Sequence, residues 1–130
     1  MSQFMLCKSS RNLEKLGCVR IADCKLNREF LTKAARQVLA CDTLHDIWEV
    51  SNFDDLLTQA QRQIVEQSFE TTELYSLLSS LFDASDTIVL WYGDEYQDLN
   101  HVNNKEQFLS SVRESLMDSM CECYLYVSCP

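Results

Sequence analysis

Glycine and proline are nearly missing from this chain: Gly17, Gly93 and a terminal Pro130 are the only ones in 130 residues. So little turn punctuation excludes a many-stranded sandwich or barrel and favours long helices with short connections. It also excludes a glycine-rich loop able to cradle phosphates, and neither G-x-S-x-G nor H-E-x-x-H occurs. No apolar run approaches the roughly 18 residues of a membrane span. The opening residues, Met1 to Lys8, are too short and too polar a stretch for a secretory core. The chain is therefore expected to stay in the cytosol and away from the membrane.

Histidine is scarce too. His45 and His101 are the only candidate imidazole bases, each without a nucleophile motif beside it, so a Cys–His catalytic pair is not expected. The seven cysteines, at positions 7, 18, 24, 41, 121, 123 and 129, are odd in number and irregular in spacing. Reduced thiols are expected rather than a disulfide framework. Cys121 and Cys123 would share one strand face, but the C-x-x-C knuckle spacing is lacking. Leu125 and Val127 continue that face, which reads as core, and no metal or cofactor is expected.

What the chain does have is enough apolar side chain for a core: 46% of residues are hydrophobic and 24% charged. At this length that predicts one domain over 1–130. Phe4 to Cys7 reads as an edge strand, and Ser9-Ser10 as the cap of a short helix ending at Gly17. Cys18 to Cys24 is ambiguous. Phe30, Leu31, Ala34, Ala35, Val38 and Leu39 recur at helical steps, predicting a helix from Asn27 to about Ala40. Ile47 to Val50 is a brief strand or packed turn, after which Ser51 and Asn52 can cap a helix whose stripe is Leu56, Leu57, Ala60, Ile64, Val65 and Phe69. Thr71-Thr72 caps the next helix, through Leu74, Leu78, Leu81 and Phe82.

Thr87 to Tyr92 is β-branched and aromatic without alternation, as in a central strand buried on both faces, and Gly93 stops it. A polar loop from Asp94 to Asn100 leads to a helix opening at Asn103 or Asn104 and carrying Phe108, Leu109, Val112, Leu116 and Met120. Cys121 to Ser128 is the last strand. Strand, helix and strand in this order predict a C-terminal βαβ unit whose final two strands are parallel. The expected class is thus α/β (α+β): a helix-rich single domain with a small sheet.

Charge is unevenly spread. Residues 1–36 carry eight basic side chains against three acidic, a net of +5, and the rest carries three basic against seventeen acidic, a net of −14. Such a field attracts cationic proteins and repels nucleic acid and anionic membranes. The segment Trp91-Tyr92-Gly93-Asp94-Glu95-Tyr96-Gln97-Asp98 interleaves rings with carboxylates, a mixture that suits an arginine-rich partner. Trp91 and Tyr92 can equally be core. The expected partner contacts are Asp94, Glu95, Tyr96 and Asp98, with Asp54 and Asp55 as a secondary acidic patch.

In size, acidity, lack of catalytic motifs and the succession TIVLWYGDEYQDL, KEQFLSSVRESLMDSM, CECYLYVS, the chain resembles bacterial immunity proteins of contact-dependent growth-inhibition systems. The resemblance implies a cytosolic protein that binds the toxin domain of a delivered effector, commonly a basic nuclease, and blocks it stoichiometrically. It transfers no individual residue, and the basic N-terminal third departs from a simple nucleic-acid mimic. Two other readings stay open at this point: a small metal- or carboxylate-dependent hydrolase built on the acidic loop and the histidines, and a non-inhibitory acidic adaptor.

Overall fold

In the computed structural model the described residues are 2–21, 38–39, 46–93, 99–118 and 122–129. They form a six-stranded mixed sheet with three α-helices packed on one face, an α+β domain. The strands are β1 (Ser2–Lys8), β2 (Cys18–Arg20), β3 (Ile47–Val50), β4 (Thr87–Gly93), β5 (Asn100–Val102) and β6 (Cys123–Ser128). The helices are α1 (Phe53–Gln63), α2 (Glu73–Ala84) and α3 (Lys105–Met117). Strand order across the sheet is β2-β3-β1-β4-β6-β5.

β1 is central, correcting its reading as an edge strand. It pairs antiparallel along its whole length with β4, from Ser2 opposite Gly93 to Lys8 opposite Thr87, and with β3 on its other side. The reason is visible in its side chains. Successive residues of a strand point to opposite faces. Met5 and Cys7 enter the core beneath the helices, while Phe4 and Leu6 enter a second core on the far face with Val89, Trp91 and Tyr124. An unbroken apolar run is what a strand needs when both its faces are covered. Leu39, in the helical pair Val38–Leu39, packs into that second core. The rest of the helix expected over residues 27–40 lies outside the described residues.

The C-terminal βαβ unit exists, but its first strand is β5 and not β4. β5 runs parallel to β6, whereas β4 and β6 are antiparallel. After β4 the chain crosses to the sheet edge and leaves open the position that β6 later fills. Two inter-strand steps are about 10 Å, within reach of six residues. Asn100, expected at the end of the polar loop, is therefore the first residue of β5.

Each helix buries the face its periodicity marks. Leu57 and Ala60 of α1, Leu74, Leu78 and Leu81 of α2, and Phe108, Val112 and Leu116 of α3 meet on Met5, Ile88, Leu90 and Val127 of the sheet. Val65, expected in the α1 stripe, is 82% exposed, because the helix stops at Gln63 and the chain turns away. Thr72 caps α2 by accepting from the Tyr75 N–H at 3.2 Å. Asn104 and Gln107 cap α3 reciprocally: the Gln107 N–H donates to Asn104 Oδ1, and the Asn103 N–H to Gln107 Oε1, each at 2.9 Å.

The Ser9-Ser10 cap does not form. Ser9 instead donates to the Ala84 carbonyl at 2.6 Å, and its own carbonyl accepts from Trp48 Nε1 at 3.1 Å. Asn12 accepts from the Glu14 N–H, ahead of a single 3-10 turn, Glu14–Leu16. Gly17 ends that turn with φ 80°, where any residue with a Cβ is strained.

Candidate functional site

The four residues expected to make the main partner contact, Asp94, Glu95, Tyr96 and Asp98, lie outside the described residues. The strand that leads into them is described. Trp91 is buried, stacked on Phe4 at 6.1 Å and edge-on to Tyr124 at 4.6 Å, so it serves the core. Tyr92 packs against the core beneath the helices. Gly93 is the point where the Tyr124 phenol crosses: a Cβ there would collide with the phenol ring. The glycine that ends β4 is thus required by a close approach from β6.

Asp54 and Asp55 are described, and both are exposed in the first turn of α1, where carboxylates interact favourably with the positive end of the helix dipole. They share a cleft of about 460 Å³ with Glu49, Val19 and Phe53. The fold brings these together in two steps. Val19 and Glu49 lie directly opposite each other in the β2–β3 pair. The chain then leaves β3 through Ser51, whose N–H donates to the Gly17 carbonyl at 3.0 Å, and Asn52, whose backbone is left-handed at φ 57°. Asn52 holds the N-cap position with no side-chain cap bond, so the cap expected from Ser51-Asn52 is one of position only. Asparagine tolerates that backbone better than other residues with a Cβ.

Partial burial raises the Glu49 carboxyl above its ordinary value, and burial followed by repulsion from Asp55 raises Asp54. Glu49 and Asp54 therefore carry their charge at a cost that a cation entering the cleft would relieve. Glu49 was not among the residues singled out from sequence. Its only signal was its outward place in the run Ile47-Trp48-Glu49-Val50, legible once that run is known to be a strand.

The wider electrostatic arrangement is simple. The helix layer, 53–84 and 105–118, carries nine carboxylates (Asp54, Asp55, Glu66, Glu70, Glu73, Asp83, Glu106, Glu114, Asp118), and all nine side chains are exposed. Against them stand Arg62, Lys105 and Arg113, a net of −6. Lys105 is held by Asp83 at 2.9 Å and Arg113 by Glu70 at 3.8 Å. The described N-terminal cations Lys8, Arg11, Lys15 and Arg20 lie on β1, β2 and the segment between them, and Arg20 sits over the Trp48 ring at 4.7 Å. Neither of the two ion pairs among the described residues involves them. The helix layer is thus predominantly acidic, while four of the described cations lie on β1, β2 and the segment between them.

Thiol chemistry is unfavourable at the four described cysteines. Cys7, Cys18, Cys123 and Cys129 are free. Burial pushes the Cys18 thiol up to about 11 and those of Cys123 and Cys129 up to about 12, and it drives fully buried Cys7 higher still. A thiol held protonated is a poor nucleophile and a poor metal ligand. His101 is exposed on β5 with its ring 4.8 Å from Tyr126, and His45 lies outside the described residues. Among the described residues no group of three or more histidine, cysteine, aspartate or glutamate side chains is placed to hold a metal. No helix of the described residues is long and apolar enough to cross a membrane. No protein-family model, curated protein or solved structure matches this chain.

Proposed function

We propose that this chain is an immunity-type protein that binds a cognate toxin domain, a basic nuclease, and neutralises it stoichiometrically in the cytoplasm without catalysis. The observation that carries the proposal is the helix layer: nine exposed carboxylates with three cations among them, two already tied up in ion pairs. A field of one sign on one side of a small domain steers a cationic protein into encounter and rejects nucleic acid as a competitor. Carboxylates at the contact also accept bidentate bonds from arginine, the residue that nucleases use to hold phosphates. Glu49, Asp54 and Asp55 supply a recessed part of this surface. Asp94, Glu95, Tyr96 and Asp98 are proposed to extend it beyond β4.

The experiment pairs the chain with the toxin domain of an effector encoded beside it. A one-to-one complex that abolishes nuclease activity at equimolar ratio, and whose association slows with salt, supports the proposal. Serine at Asp94, Glu95 and Asp98 should slow association further and flatten its salt dependence. Full nuclease activity in the presence of excess chain would refute the inhibitory function.

A further inference from the structure

The cleft where β2 and β3 meet the start of α1 has a volume of about 460 Å³. Small-molecule sites run to roughly 300–1,000 Å³, so its occupant is a side chain rather than a strand or a helix. Glu49, Asp54 and Asp55 line it, and among the described residues no cation does. The positive end of α1 sets only about half a unit charge against these three. Neither Glu49 nor Asp55 takes part in an ion pair among the described residues.

Strand register explains why β2 does not fill the cleft with a cation of its own. Val19 stands opposite Glu49 and shares its face, whereas Arg20, the next residue, points to the other face, where its guanidinium lies over the Trp48 ring at 4.7 Å. Arg62 is seven residues beyond Asp55 on α1, about 10 Å along the helix. The cleft also has an apolar side. Val19 is 41% exposed, one of three large hydrophobic side chains left in solvent among the described residues, and Val50 and Phe53 line the same space.

We infer that this cleft takes one arginine side chain of a protein partner, its guanidinium among Glu49, Asp54 and Asp55 and its methylene stem along Val19. This deepens the docking proposal above and rests on it. Charge complementarity selects a cation, and the placement of the carboxylates selects which one. They do not converge as the ligands of a metal ion would. A guanidinium is planar and spreads five N–H donors over a fork, so it serves acceptors that a compact ion cannot gather, and it is more weakly hydrated than a lysine ammonium, which lowers the cost of entering a partly buried site. The exposed valine matches the apolar stem that arginine carries behind its charge. Glu49 contributes more than Asp55, because its half-buried carboxylate is less screened by solvent.

Amide chemical-shift mapping on the labelled full chain tests this with four probes: acetyl-arginine-amide, acetyl-lysine-amide, calcium chloride, and acetyl-citrulline-amide, which keeps nearly the shape of arginine without the charge. The arginine probe should shift Val19, Ser51 and Phe53 and bind about fivefold more tightly than the lysine probe, while the citrulline probe leaves those amides unmoved. Glu49→Gln should weaken arginine binding about tenfold and Asp55→Asn about threefold. Val19→Lys, which sets a competing ammonium opposite Glu49 in the β2–β3 pair, should abolish it while circular dichroism stays native. If one variant fails to fold, the other two still decide. Equal binding of the lysine or citrulline probe, indifference to Glu49→Gln, calcium binding these residues more tightly than the arginine probe, or shifts on the helix layer with Val19 and Phe53 unmoved would each overturn the arginine site and leave the acidic docking face intact. Arginine binding in the cleft beside a toxin domain left fully active would overturn the inhibitory function and leave the site standing. No shifts anywhere from either organic cation would sink both.

Discussion

Consider the variant Asp55→Asn, Glu66→Gln, Glu106→Gln, Glu114→Gln, which takes the helix layer from −6 to −2 without touching either ion pair or the buried faces of the helices. A partner cation passing about 10 Å from an exposed carboxylate gains roughly 0.4 kcal/mol in water, and screening at 0.1 M salt cuts that to about 0.15 kcal/mol. Four such charges amount to about 0.6 kcal/mol for each partner cation that faces the layer, or about threefold in rate. With three such cations on the partner, association should slow about twentyfold at 0.1 M salt. At 0.5 M, where the screening length is roughly 4 Å, the deficit should shrink to about twofold. Stopped-flow mixing with the toxin domain across that salt range measures this directly, and dissociation should change far less, since none of the four side chains is buried. If the variant associates within twofold of the parent at low salt, the helix layer is not the docking face. A deficit that persists undiminished at 0.5 M would mean that local contacts, rather than the field, had been removed.

Glu49→Gln should stabilise the fold at neutral pH. Burial raises the folded-state pKa above the unfolded one, so folding favours the protonated form. The parent therefore loses stability as pH rises through the folded pKa, and the advantage of glutamine should vanish below about pH 4, where both states of Glu49 are protonated. Urea titrations at both pH values would show it, and equal midpoints at pH 7 would contradict the assignment. Gly93→Ala should cost about 1–3 kcal/mol, because the added methyl meets the buried Tyr124 ring; a midpoint unchanged from the parent would mean that β4 and β6 are not in this register. Cys7, fully buried between β3 and β4, should resist iodoacetamide in the native protein and react only on unfolding, as peptide mass spectrometry would reveal.

Local signals carried much of this protein. A Thr72 or Asn104 oxygen that can reach a backbone N–H three residues on, followed by apolar residues at helical spacing, specifies a helix start without reference to anything distant. That is why α2 and α3 were legible from residues alone, and why Thr87 to Tyr92 announced a strand covered on both faces. Partner order in a sheet has no such local signature. Phe4 to Cys7 looks alike at an edge or at the centre, and only pairing with both β3 and β4 places it. Asn100 to Val102, a short segment with one apolar residue, becomes a strand because β6 offers it a ladder, and β4 pairs with β6 antiparallel instead of the expected parallel.

The charge totals, the shortage of turn residues and the helical faces were set by composition and spacing, because those properties are sums over neighbours in the chain. Tertiary structure alone decided that Glu49 would join Asp54 and Asp55 around one cleft, and that Arg20 would lie over Trp48. Both depend on side chains from separate elements meeting in space. The free energy of such meetings comes from burying the sheet and helix faces together, not from anything the individual segments contain.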